Sequence, residues 1–235
     1  MRARPAPSFN SYGFTLFEMT IVLIIIALVA GGILMSRSLM RTAELKEVLE
    51  EYNRYVQAIG EFKDKYNALP GDMPDAQSYW GTNVGTCPAG NNTKQRATCN
   101  GNGNGTIGIS TNAGVYAPND VDTTATYGWE WFTAWQHLSN AGLIEGSYTG
   151  AQGRGGTSDA ELTQNVPSST LKPAAWSIIY YQQAADGASS NLLWGSVNGY
   201  GPYGHLLLCG ADGLNTPTLY PVLTPAEAYE IDGKI

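Results

Sequence analysis

Phe14 to Met35 reads FTLFEMTIVLIIIALVAGGILM, 22 residues with a single ionisable group, Glu18. As a helix the run is roughly 33 Å long, enough to cross the hydrocarbon core of a bilayer. A buried core helix of a soluble domain is the plainer reading, but this run is apolar on every face and sits at the N-terminus. A cleaved secretory signal is the other alternative. The preceding MRARPAPSFNSYG places Arg2 and Arg4 where a basic n-region belongs. Against that, the apolar run exceeds an ordinary h-region and lacks a small-x-small cleavage site at its far end.

Working outward, the junction at Gly13-Phe14 carries the chemistry. A carboxylate inside an apolar span costs roughly 2.5–3.5 kcal/mol on insertion scales, which makes Glu18 a functional candidate unless it snorkels to the membrane edge. A cut after Gly13 would create a cationic α-amino group on Phe14, four residues from Glu18. In a low-dielectric bundle that amine can neutralise the Glu18 carboxylate of its own chain or of a neighbouring copy.

The order Gly13-Phe14-Thr15-Leu16-Phe17-Glu18 followed by an aliphatic run resembles the type III signal of type IV pilins and type II secretion pseudopilins. The resemblance covers about the first 50 to 60 residues and implies a set of roles. A prepilin peptidase cuts after Gly13 and methylates Phe14, and Glu18 guides docking among pilin or pseudopilin subunits. It implies an inner-membrane single-pass precursor with a periplasmic head, then a periplasmic or cell-surface filament. Two features depart from the pattern. Arg37, Arg41 and Lys46 follow the span, so the positive-inside comparison does not favour a cytoplasmic N-terminus, and the leader is taken to decide the orientation. The proline common near the twenty-second mature position of major pilins is missing, and Gly31-Gly32 nearby loosen the helix instead. With the large head, that leans towards a minor or secretion-type subunit.

Beyond Met35 the pattern becomes one-sided. Leu45, Val48, Leu49, Tyr52, Val56, Ile59, Phe62 and Tyr66 recur at spacings of three and four. Glu44, Lys46, Glu47, Glu50, Glu51, Arg54, Lys63 and Asp64 fall mostly between them. This predicts an amphipathic helix against an apolar surface, ended by Leu69-Pro70-Gly71-Asp72. Unbroken from Phe14 to Tyr66, it would be roughly 80 Å long. A dimeric coiled coil is the competing reading, placed second because aromatic residues at the seam suit packing on a sheet.

Residues 81–118 are crowded with Gly, Asn and Thr, and Asn100 to Gly105 reads NGNGNG. With no Lys-Ser/Thr pair and no strand-to-helix context, the run fails as a phosphate cradle and reads as consecutive turns. Three cysteines allow three pairings. In an oxidising periplasm Cys87–Cys99 is the expected disulfide, contributing about 2–3 kcal/mol in the chain-entropy model, and Cys209 reads as buried and free. Trp129–Leu138 predicts a short helix whose aromatics pack the core. Residues 151–172 read as a surface loop. Trp176–Tyr181, Asn191–Val197 and His205–Cys209 predict strands of an antiparallel meander. Thr224-Pro225-Ala226-Glu227 predicts a capped helix. Related heads continue beyond such a segment, which implies a truncated C-terminus.

The chain's 13 basic and 20 acidic side chains give a net charge of −7, and charged residues make up 14% against about 25% in an average soluble domain. No global field draws in nucleic acid, so no nucleic-acid partner is expected. Two histidines and three cysteines leave little for a zinc site or a His-based catalytic centre. His137 and His205 read as packed or hydrogen-bonded structural residues. Asp120 and Asp122 alternate as calcium ligands do, and the resemblance would give Asp212 or Asp232 a similar part. Solvated turn aspartates are the preferred reading, since no complete ligand loop is visible.

The sequence therefore predicts an α+β protein with a long N-terminal hydrophobic helix packed on a small antiparallel head. The expected parts are a leader (1–13), a membrane or filament-core helix (14–35), the amphipathic half of that helix (36–66) and a periplasmic head (67–235). The expected work is structural, without enzymatic turnover or a required cofactor. Two other readings are a membrane-anchored binding module that never polymerises, and an anchored hydrolase for which no acid/base site is found.

Overall fold

A computed structural model of the chain describes residues 13–82, 94–108, 130–151, 153, 159–181, 204–213 and 216–233. The elements run α1 (Leu16–Tyr66), α2 (Ala76–Trp80), α3 (Glu130–Asn140), β1 (Ala174–Tyr181), β2 (Gly204–Gly213), β3 (Thr216–Tyr220) and α4 (Pro225–Asp232). The arrangement is α+β, as the sequence predicts. The chain divides into two compact units, Met1–Glu44 and Leu45–Ile235, with the boundary inside α1.

In the first unit, no part of the Leu16–Ile33 stretch of α1 is buried. In the second unit α1 becomes one wall of the core. Leu45, Val48, Glu51, Tyr55, Ala58 and Phe62 are buried, a stripe advancing by three or four residues at each step. This corrects the sequence reading at two positions. Val56, expected inside, is exposed, while Glu51, expected among the outward charges, is only 3% exposed. The stripe passes through position 51, so the helix geometry buries whatever residue stands there.

A buried carboxylate costs several kcal/mol unless hydrogen bonds replace its water. Glu51 receives four. Ser169 Oγ donates at 2.6 Å, Thr170 N and Thr170 Oγ1 at 2.8 Å each, and the indole Nε1 of Trp176 at 2.7 Å. One side chain of α1 thus pins both β1 and the segment before it. Tyr55, one turn on, sits edge-on to Trp135 and Trp176 with ring centroids 5.1 and 5.6 Å apart.

The three strands form an antiparallel sheet of order β1-β2-β3, with Trp176 opposite Cys209 and Ile179 opposite Leu206. β1 and β2 contain the expected Trp176–Tyr181 and His205–Cys209 runs. The expected Asn191–Val197 strand lies outside the described residues. β3 is an addition. It carries Pro217, which cannot donate to a ladder, and among the described strands it is an edge, where a proline is tolerated. Residues 159–171 correct the expected surface loop, since Asp159, Ala160, Asn165, Val166, Ser169 and Leu171 are buried. Their polar groups are satisfied internally; Asn165 Nδ2, for example, donates to the carbonyls of Ala151 and Asp159.

The Asn-Gly tract turns, as expected, and it does so around the protein's own carboxylates. Asp72 accepts from Asn104 N and Gly105 N at 2.9 Å each, and Glu130 accepts from Asn102 N at 3.1 Å and Gly108 N at 2.7 Å. Both acids are buried. Gly101 passes so close to Gly71 and Asp72 that a Cβ would collide with their backbone. Gly71 itself has φ of +88° and donates its N–H to His137 Nδ1 at 3.0 Å. α3 is buried from Glu130 to Leu138, so its aromatics pack as the sequence predicts. α4 begins with the predicted capping box between Thr224 and Glu227.

His137 is fully buried, stacked on Phe62, with Nε2 3.0 Å from Thr98 Oγ1. Burial pushes its pKa down from 6.5 to about 3. The unfolded chain therefore binds a proton at pH values where the folded chain does not. The stability this residue contributes is complete above about pH 6.5 and declines as pH falls towards 3. His137→Gln should flatten part of that decline in urea unfolding followed from pH 7 to pH 4. Glu51→Leu should lower unfolding stability by about 3 kcal/mol, because Trp176 Nε1 and Thr170 N lose their acceptors in the core. Urea denaturation of the full chain in detergent measures both.

Candidate processing and assembly site

Gly13, Phe14 and Thr15 precede the helix in non-helical backbone, and α1 begins at Leu16. The helix starts there because Thr15 and Glu18 form a reciprocal cap. The Thr15 backbone N–H and its Oγ1 both donate to Glu18 Oε2 at 2.8 Å, and Glu18 N donates to Thr15 Oγ1 at 3.2 Å. This is the T-x-x-E capping box, which satisfies orphan donors of a helix N-terminus from both sides. A carboxylate in the first turn also meets the positive end of the helix dipole. Glu18 Oε1 accepts no hydrogen bond among the described residues.

Among the described residues the surface beyond this polar knot is apolar and exposed, apart from Thr20, whose hydroxyl donates to the Phe17 carbonyl. Phe14 is 82% exposed, Leu16 83% and Phe17 72%, and the exposed aliphatic surface continues to Ile33. Leu16–Ile33 is long and apolar enough to cross a membrane. Among the described residues the site thus combines a non-helical Gly13-Phe14 bond, a carboxylate in the first turn with one oxygen open, and a helix whose Leu16–Ile33 stretch is unburied. Gly13, Phe14 and Glu18 are all exposed.

The structure places Gly13 and Phe14 in the non-helical backbone just before α1 and Glu18 in its first turn, where its hydrogen-bond partner is Thr15. Thr15 is a participant that residue-by-residue reading missed, although its signal was present: Thr15 and Glu18 stand at capping-box spacing directly before an apolar run. The other nominated residues do not join the site. Cys99 is buried in the second unit, and Cys87 lies outside the described residues. Cys209 is a free, half-buried thiol, and burial pushes its pKa up to about 11. Asp120 and Asp122 lie outside the described residues. Asp212 and Asp232 are exposed, and among the described residues no group of three or more His, Cys, Asp or Glu is placed to hold a metal ion. His205 accepts from Ile107 N through Nε2 at 3.0 Å, a structural role like that of His137.

Residues 8–34 match the family model of the prokaryotic N-terminal methylation motif. The chain therefore carries the signature of type IV pilins and pseudopilins, on a helix followed by a small antiparallel sheet that forms a pilin-like arrangement. Comparison with curated proteins and with solved structures produced no significant match.

Removing the cap tests the local geometry directly. Thr15→Ala should loosen the first turn of α1 by about 1 kcal/mol, seen as faster amide exchange at Glu18 in the detergent-solubilised protein, and Thr15→Ser should restore protection.

Proposed function

We propose that this chain is a filament subunit of the pilin or pseudopilin type, made as a single-pass inner-membrane precursor with a periplasmic head. A prepilin peptidase cuts after Gly13 and methylates Phe14, and the mature subunit leaves the bilayer for a helical filament of like subunits. The matched methylation motif supports the processing steps. The observation that carries the assembly reading is Glu18, a carboxylate pre-positioned by Thr15 with Oε1 unbonded among the described residues, on a span whose Leu16–Ile33 stretch is wholly unburied. In a bundle of such spans the Phe14 amine is the natural counter-charge, because an unpaired carboxylate among apolar helices is expensive.

The role is mechanical and needs no turnover. Processing removes Arg2 and Arg4 and no acid, so the side-chain balance falls from −7 to −9. That disfavours DNA uptake by this subunit. The parts of the chain are a leader (1–13), a filament-core helix (14–35), its amphipathic continuation (36–66) and a head (67–235). In the head we assign the disulfide to Cys87–Cys99, with Cys209 free.

Intact mass of the protein, purified with and without the peptidase and without reductant, tests the processing and the disulfide together. The expected species starts at methylated Phe14 and lacks the two thiol hydrogens of one disulfide, whereas an uncut chain contradicts the processing. Glu18→Ala should still be cut yet fail to enter filaments, assayed by shearing and electron microscopy. Normal function of that variant as isolated membrane copies would instead favour an anchored binding module.

A further inference from the structure

A cleft of about 660 Å³ opens in the second unit between α1 and the loop that follows α3. That volume falls in the range of small-molecule sites. Its lining is unusual for so acidic a chain, because Arg54 and Lys94 both face it. Among the described residues neither takes part in an ion pair. Arg54 leans on the ring of Tyr55, with its guanidinium carbon 5.7 Å from the ring centroid, which keeps the planar fork close to an aromatic wall.

The rest of the lining is rich in hydroxyls and acceptors. Glu145, Ser147, Thr163 and Ser168 contribute polar side chains, and Tyr148 stands among them with its hydroxyl donated to the Glu145 carbonyl at 3.1 Å. Leu143 and Pro167 supply apolar patches. Thr163 has φ of +63°, a left-handed conformation that a β-branched residue rarely adopts. Such a residue persists only where its surroundings hold it, and these positions concentrate at ligand sites.

We propose that this cleft binds an acidic sugar, its carboxylate on Arg54 and Lys94 and its hydroxyls on Glu145, Ser147 and Thr163. Two cations match one carboxylate, and a planar guanidinium engages it through paired N–H donors. A simple anion would leave the hydroxyl-bearing half of the cleft unused. With Glu145 the one acid of the lining among the described residues, Arg54 and Lys94 leave a surplus of one positive charge, which a neutral sugar would not answer. The site lies on the head, and its existence does not depend on whether the subunit polymerises.

Calorimetric titration of the full chain in a sugar-free amine-oxide detergent tests this with four probes: D-galacturonate, D-galactose, acetate and inorganic phosphate. Galacturonate should bind at least about tenfold more tightly than any of the other three, and Arg54→Gln and Lys94→Gln should each weaken it about tenfold. Lys94 is exposed, so its variant preserves the fold if the Arg54 variant does not, with far-UV circular dichroism as the check. Equal binding of acetate or phosphate would overturn the proposal in favour of a general anion site. Absence of galacturonate binding, or binding unchanged in Lys94→Gln, would overturn it outright.

Discussion

An apolar helix stretch, Leu16–Ile33, of which no part is buried is the constraint on which the molecule depends. Thirteen large apolar side chains between Phe14 and Ile33 are exposed. At roughly 1.5–3 kcal/mol for burying each such side chain, keeping them in water costs on the order of 20 kcal/mol or more, beyond the stability of a typical folded domain. The span must therefore lie in lipid or against other spans. In lipid the Glu18 carboxylate is a penalty that the Thr15 cap only partly offsets; in the proposed filament the cationic terminus of a processed copy would answer it.

The second unit solves a different problem, how to build a rigid body from few charges and many small polar residues. Its buried acids are the organising points. Glu51 gathers the segment before β1 onto α1, and Asp72 and Glu130 draw the Asn-Gly tract around themselves through backbone N–H groups. Glycine suits this work because its backbone approaches where a Cβ would collide, as Gly101 does against Gly71 and Asp72.

Much of this was legible in the sequence where a local rule governs the outcome. The apolar span, the end of α1 before Leu69-Pro70-Gly71, the cap of α4 and the strands around Trp176 and His205 each follow from periodicity or turn chemistry. What escaped reading depends on tertiary partners. Glu51 looks like any other charge on a helix until Trp176 and Thr170 converge on it. Residues 159–171 look like a solvated loop because their burial rests on acceptors outside the segment, the Ala151 carbonyl for Asn165 Nδ2 and Glu51 for Ser169 Oγ. β3 is short and carries a proline, which reads as a turn unless the neighbouring strand is known. At the candidate processing site Gly13, Phe14 and Glu18 are visible as a pattern, and the part of Thr15 is legible as its capping-box spacing to Glu18, which the first turn bears out.

Site-specific photo-cross-linking from Ile25, midway along the bare span, in cells that hold the peptidase and the assembly machinery, asks most directly what covers that helix once its terminus is free. The account predicts that mature chains cross-link to the same span of another copy. It also predicts that Gly13→Val chains, left uncut, label lipid. Mature chains that label lipid alone would contradict it.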